Sequence, residues 1–178
     1  MGESINLELA LRFAKAKHQG QKRVGGGDYI THPIAVCEIV KSQGFDESYQ
    51  ITALFHDLLE DTDATEEEIL KYGGPQVLES VKLLTKEKGY NMAEYISGIK
   101  KNPMAFAVKA ADRLHNLQCA VLTDEAFKQK YILETVDWYM DFSLEIRKAV
   151  KRLAQSLETP MEERIMKGDF YDDYREEN

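Results

Sequence analysis

The sequence predicts an all-α fold, a single compact bundle of many helices. Apolar residues recur at i, i+3 and i+4 through most of the chain, no Val/Ile/Thr-rich run alternates cleanly between turns, and helix-start signals punctuate the whole length. With 178 residues, 43% of them hydrophobic, the chain can bury one sizeable core.

The elements follow in order. A first helix is expected from about Asn6 to Gln19, with Leu7, Leu11 and Ala14 on one face, and the glycine-rich stretch through Asp28 ends it. Pro33 suits the first turn of a second helix reaching about Ser42. Ser48 can cap a third to about Asp61, and Thr65 with Glu68 forms a capping box for a short fourth. Pro75 opens another to about Lys86, Asn91 with Glu94 caps the next, and Pro103 starts the helix that carries Asp112. Asp124 caps a long final helix to about Leu157. Residues 1–157 are therefore expected to form one domain and 158–178 an acidic tail, which holds eight acids, three bases and the aromatics Phe170, Tyr171 and Tyr174.

Composition narrows the function. Lys and Arg number 23 against 31 Asp and Glu, a net charge of −8, which excludes a simple basic nucleic-acid binder. No run approaches the roughly 18 apolar residues of a membrane span, and Met1 to Lys17 lacks the apolar stretch of a secretory leader, so a cytoplasmic protein with no membrane partner is expected. Cys37 and Cys119 lie in apolar helical patterns without CxxC spacing and read as packing residues. Lys15, Lys17, Lys22 and Arg23 cluster near Gly25, Gly26 and Gly27, which suits a small anionic ligand and equally a solvated helix face.

The chemistry concentrates in Ala53-Leu54-Phe55-His56-Asp57-Leu58-Leu59-Glu60-Asp61-Thr62. On a helix turning 100° per residue, His56, Glu60, Asp57 and Asp61 fall at about 0°, 40°, 100° and 140°, on one face. No basic residue stands three or four places from these acids to neutralise them. Three carboxylates and an imidazole crowded together repel unless something positive sits among them, and a divalent cation answers that need. The plainer reading makes the acids a capping turn into Thr65, and for Asp63 that reading is preferred. His32 before Pro33 at a helix start, and Asp112 with Asn116 at i and i+4 among small and apolar neighbours, supply further residues of matching type. Each alone reads more readily as structural; together they point to a site.

His32-Pro33, His56-Asp57-Leu58-Leu59-Glu60-Asp61-Thr62 and Ala111-Asp112-Arg113-Leu114-His115-Asn116-Leu117 together resemble the HD-domain phosphohydrolases. Within them they are similar to the hydrolase domain of RelA/SpoT-type alarmone enzymes and their small stand-alone relatives. Lys17-His18-Gln19-Gly20-Gln21-Lys22-Arg23 with Tyr29-Ile30-Thr31-His32-Pro33, and Glu134-Thr135 with Trp138-Tyr139, extend the likeness over about residues 6 to 142. The resemblance implies an HD-domain bundle in which His32, His56, Asp57 and Asp112 hold one divalent ion, typically Mn2+. It implies that Glu60 and Asp61 position and activate the attacking water, and that Arg23, Lys22 and Asn116 hold the nucleotide, with Tyr29 as support. Mixed imidazole and carboxylate donors without thiolates suit manganese or a neighbouring first-row metal.

The expected reaction is hydrolysis of guanosine 3′,5′-bispyrophosphate at the 3′ position, releasing pyrophosphate and GDP or GTP. Val24 and Asp28 depart from the family's usual loop, which leaves open a phosphatase for another nucleotide, such as a 5′-nucleotidase or a dinucleotide-cofactor phosphatase. A silent nucleotide-binding module is a third reading, against which the full set of six acids and imidazoles argues. No synthetase or regulatory module follows the matched region, so the resemblance implies a stand-alone hydrolase.

Overall fold

A computed structural model describes residues 5–157. The acidic segment 158–178 with Phe170, Tyr171 and Tyr174 lies outside the described residues. Within them the chain forms helices α1 (Leu7–Lys17), α2 (Thr31–Ser42), α3 (Glu47–Phe55), α4 (Leu58–Asp61), α5 (Glu66–Gly73), α6 (Pro75–Leu84), α7 (Met92–Lys101), α8 (Pro103–Ala120), α9 (Glu125–Trp138) and α10 (Leu144–Gln155). Among the described residues the extended structure is a single isolated bridge between Lys22 and Asp28. The all-α expectation holds. The described residues divide into two compact units, with the division between His115 and Asn116.

In the first unit α3 is the central element, packed by α1, α2, α5 and α6. Its Ile51, Ala53, Leu54 and Phe55 are buried, and the Phe13 ring of α1 meets Phe55 edge to face at 5.4 Å. The caps explain the helix starts. Asn6 accepts from the Leu9 N–H at 2.9 Å, Thr65 and Glu68 form the expected reciprocal box, and Asn91 accepts from Glu94 N–H at 3.0 Å. In the second unit α9 packs on α10, whose Ile146, Ala149, Val150 and Leu153 are buried.

Two expectations on helix extent are corrected. The third helix starts under Asp46, whose carboxylate accepts from Ser48 and Tyr49 N–H, and not under Ser48. It also stops at Phe55, with His56 and Asp57 forming a turn before α4. The cause is local: the His56 Nδ1–H donates to Ala53 O at 2.6 Å, and that carbonyl is the one an unbroken helix would offer to the Asp57 N–H. The long final helix is likewise two helices. Tyr139 departs from helical geometry at φ −123° and ψ 1°, and Ser143 caps a new start by accepting from Ile146 N–H at 3.1 Å.

Candidate metal centre

The site residues of the first unit come from four places. His32 sits in the first turn of α2, His56 and Asp57 in the break between α3 and α4, Glu60 and Asp61 on α4, and Asp112 on α8. His32, His56 and Asp112 are buried, and Asp57 is partly exposed.

Their donor atoms converge. His32 Nε2 lies 2.9 Å from Asp112 Oδ1, 3.3 Å from His56 Nε2 and 3.8 Å from Asp57 Oδ2. His56 Nε2 lies 2.9 Å from Asp57 Oδ2 and 3.6 Å from Asp112 Oδ1. Neighbouring donors around a divalent ion with bonds of roughly 2.1 Å stand roughly 3–3.5 Å apart, so the spacing of His32, His56 and Asp57 fits one ion, with Asp112 beside both imidazoles. The chemistry fits as well. Because His56 Nδ1 must carry its proton toward the Ala53 carbonyl, a neutral His56 turns a lone pair toward His32 Nε2 and two carboxylates. Such an arrangement requires a cation or a proton at its centre. Burial pulls His56 down, but Asp57 and Asp112 outweigh it and lift the imidazole well above its ordinary value. Burial pushes Asp57 up, but His56 overrides it and brings the carboxyl to about 2. Asp112 is also pushed up by burial, yet Lys109 and the two imidazoles hold it well below the carboxylate range. Burial lowers His32.

Asp57 belongs to a second group as well, with Glu60 and Asp61 oxygens close by. Burial raises both Glu60 and Asp61, and repulsion from Asp57 adds to it. Glu60 accepts from the Lys86 backbone N–H at 2.6 Å. Asp63 lies in the turn between α4 and α5, and its carboxylate reaches Lys17 Nζ at 3.1 Å, alongside the Lys17–Glu68 pair at 2.9 Å.

The substrate candidates are placed as follows. Tyr29 donates its hydroxyl to Asp57 Oδ2 at 2.7 Å, with Asp61 Oδ2 at 3.4 Å. Lys22 pairs with Asp28 on the exposed loop. That loop is a tight turn closed by Arg23 N–H to Gly27 O at 2.8 Å, with Gly25 and Gly26 at φ 99° and 98°, where a side chain would strain the backbone. Burial lowers His115 to about 4, and the nearby charges of His32 and then Arg23 add to it. Asn116 follows His115 on α8 and belongs to the second unit.

Several supporting contacts were not read from the sequence. Lys109 donates to Asp112 Oδ2 at 2.9 Å, an i,i+3 spacing that could have signalled it. Gln21 donates its side-chain N–H to Asp61 O at 2.6 Å, and His115 Nδ1 lies 2.7 Å from His32 Nδ1. The last two link residues 40 and 83 apart, which no local pattern announces.

Residues 10–143 match the family model described as HD domain. The chain belongs to the HD-domain family. Among curated relatives, it is 36% identical over 141 residues to a guanosine-3′,5′-bis(diphosphate) 3′-pyrophosphohydrolase of Aquifex aeolicus, covering 75% of this chain and 20% of that protein. It is 34% identical over 144 residues to a GTP pyrophosphokinase rsh of Brucella melitensis, covering 75% and 19%. The chain thus spans about a fifth of the length of these relatives. A solved structure of a metazoan ortholog of SpoT, described as hydrolysing ppGpp, superposes with a TM-score of 0.68 at 25% identity, covering 83% of this chain and 93% of that one.

Proposed function

We propose that this HD-domain protein hydrolyses guanosine 3′,5′-bispyrophosphate at the 3′ position, releasing pyrophosphate and GDP, with His32, His56, Asp57 and Asp112 holding one divalent ion, Mn2+ by preference. The observation that carries this is the shared position of Asp57, which belongs both to the imidazole–carboxylate cluster and to the acidic pair Glu60 and Asp61. An Aquifex aeolicus relative is described as a 3′-pyrophosphohydrolase of this nucleotide, and the metazoan structure described as hydrolysing ppGpp has a matching fold, which supports the reading.

A divalent ion, when bound, supplies Lewis acidity toward water and a phosphoryl oxygen. The remaining work falls to the chain. Glu60 and Asp61, raised toward neutrality by burial, orient the attacking water and take its proton, since a base with an elevated pKa holds that proton better. Tyr29 fixes the Asp57 carboxylate, and Gln21 fixes the backbone of Asp61. Arg23, Lys22 and Asn116 hold the nucleotide's anionic and ribose parts. Residues 1–157 are taken as the functional domain and the protein as cytoplasmic, in keeping with the absence, among the described residues, of any helix long and apolar enough to cross a membrane.

A second reading, a phosphatase for another nucleotide, is favoured by the loop itself: Lys22 is engaged by Asp28, and Val24 stands 72% exposed between them. Phosphate and pyrophosphate release from a panel of nucleotides with added Mn2+ separates the two. Pyrophosphate from guanosine 3′,5′-bispyrophosphate supports the first reading; inorganic phosphate from a different nucleotide, with this one uncut, replaces it by the second.

A further inference from the structure

His115 lies behind a proposed ligand and not among the ligands. Its Nδ1 is 2.7 Å from His32 Nδ1, with ring centroids 5.0 Å apart and planes 24° apart, so the rings meet edge to edge through these two nitrogens. The other nitrogen of His32, Nε2, faces Asp112 Oδ1 and His56 Nε2. A neutral imidazole has one N–H and one lone pair. For Nε2 to offer its lone pair to an ion, the His32 proton must sit on Nδ1, where it points at His115. His32 is 2% exposed, so bulk water cannot serve as that acceptor.

We propose that His115 is a positioning residue: its Nδ1 accepts the His32 Nδ1–H, and this holds His32 in the tautomer and ring orientation that leave Nε2 for a divalent cation. The His115 proton then sits on its own Nε2. His56 is oriented by a different device, since its Nδ1–H goes to the Ala53 carbonyl, which can only accept. Partners that fix the second nitrogen of a ligating imidazole typically change metal affinity by about 10–100-fold when removed.

The inference rests on His32 being a ligand, so it is tested by metal binding and not by turnover. The full chain is stripped with a chelator and titrated with Mn2+. His115→Phe keeps a flat ring and removes the acceptor; His115→Asn places a carbonyl oxygen near the position of Nδ1. His115→Phe is expected to raise the Mn2+ dissociation constant about 10–100-fold, and His115→Asn to stay within a few-fold of the parent. Folded His115→Phe protein with parental affinity overturns the proposal, as does His115→Asn as weak as His115→Phe. Should His115→Phe fail to fold, the parent decides alone: in zinc-loaded protein, side-chain 15N shifts should show His32 protonated on Nδ1 and His115 on Nε2, and a proton on His115 Nδ1 overturns the proposal. A parent that takes up no divalent ion overturns the ligand assignment itself, and is seen without any substitution.

Discussion

Tyr29 shows how one hydroxyl can organise two acids. It donates to Asp57 at 2.7 Å while lying 3.4 Å from Asp61. Tyr29→Phe keeps the ring and removes a hydrogen bond to a charged group worth about 1.5–3 kcal/mol. It should lower kcat by roughly tenfold or more and lower thermal stability by up to that magnitude; steady-state rates beside melting curves check both. Glu60→Gln and Asp61→Asn should each lower kcat at least about a hundredfold with bound metal unchanged, as measured by metal analysis beside the rates. Glu60 carries a second, opposite consequence. Burial raises its folded pKa above the ordinary 4.5, so as pH rises through 4.5 the unfolded chain ionises first and stability falls until the folded carboxyl ionises too. In metal-free protein, Glu60→Gln should therefore melt higher than the parent at pH 7, and the difference should vanish near pH 4. The convergence of His32, His56, Asp57 and Asp112 was legible because the motif residues themselves carry the donor atoms. Their supports were not, because His115 and Gln21 act across the fold on residues far along the chain.

At the level of helices, the first unit is built around the approach of α5 and α6 to α3. A Cβ on Gly73 would meet Val77 Cγ1 at 2.6 Å and Phe55 Cε2 at 3.2 Å, so α5 ends on glycine for lack of room. Gly73→Ala should cost about 1–3 kcal/mol through overpacking, read as a lower midpoint in urea with unchanged slope. The capping signals at Asn6, Thr65 and Asn91 were readable because cap chemistry is local. The break between α3 and α4 was not, since apolar spacing runs straight through Leu54, Leu58 and Leu59, while the His56 ring competes for Ala53 O at the break. Between α9 and α10 the apolar spacing again masked the stop, although Ser143 is a residue type that caps.

For the molecule as a whole, the cluster predicts a coupling between metal and stability. Two imidazoles and two carboxylates facing one another are held together more firmly by a cation that binds only the folded state. Mn2+ at a hundred times its dissociation constant should add about 2.7 kcal/mol, a rise of roughly 5–10 °C for a chain of this size. Melting curves with Mn2+ and with a chelator check this, and equal midpoints would dissociate the cluster from any ion. The two imidazoles also differ in what heredity can do to them. His56 is steered by a main-chain carbonyl, and no codon change at residue 53 deletes a carbonyl. His32 is steered by a side chain, and one nucleotide change in the codon for His115 can remove it. Loss of metal binding by random mutagenesis should accordingly surface at position 115, far from either of the sequence motifs that carry the proposed imidazole ligands, while the support of His56 leaves no comparable genetic trace.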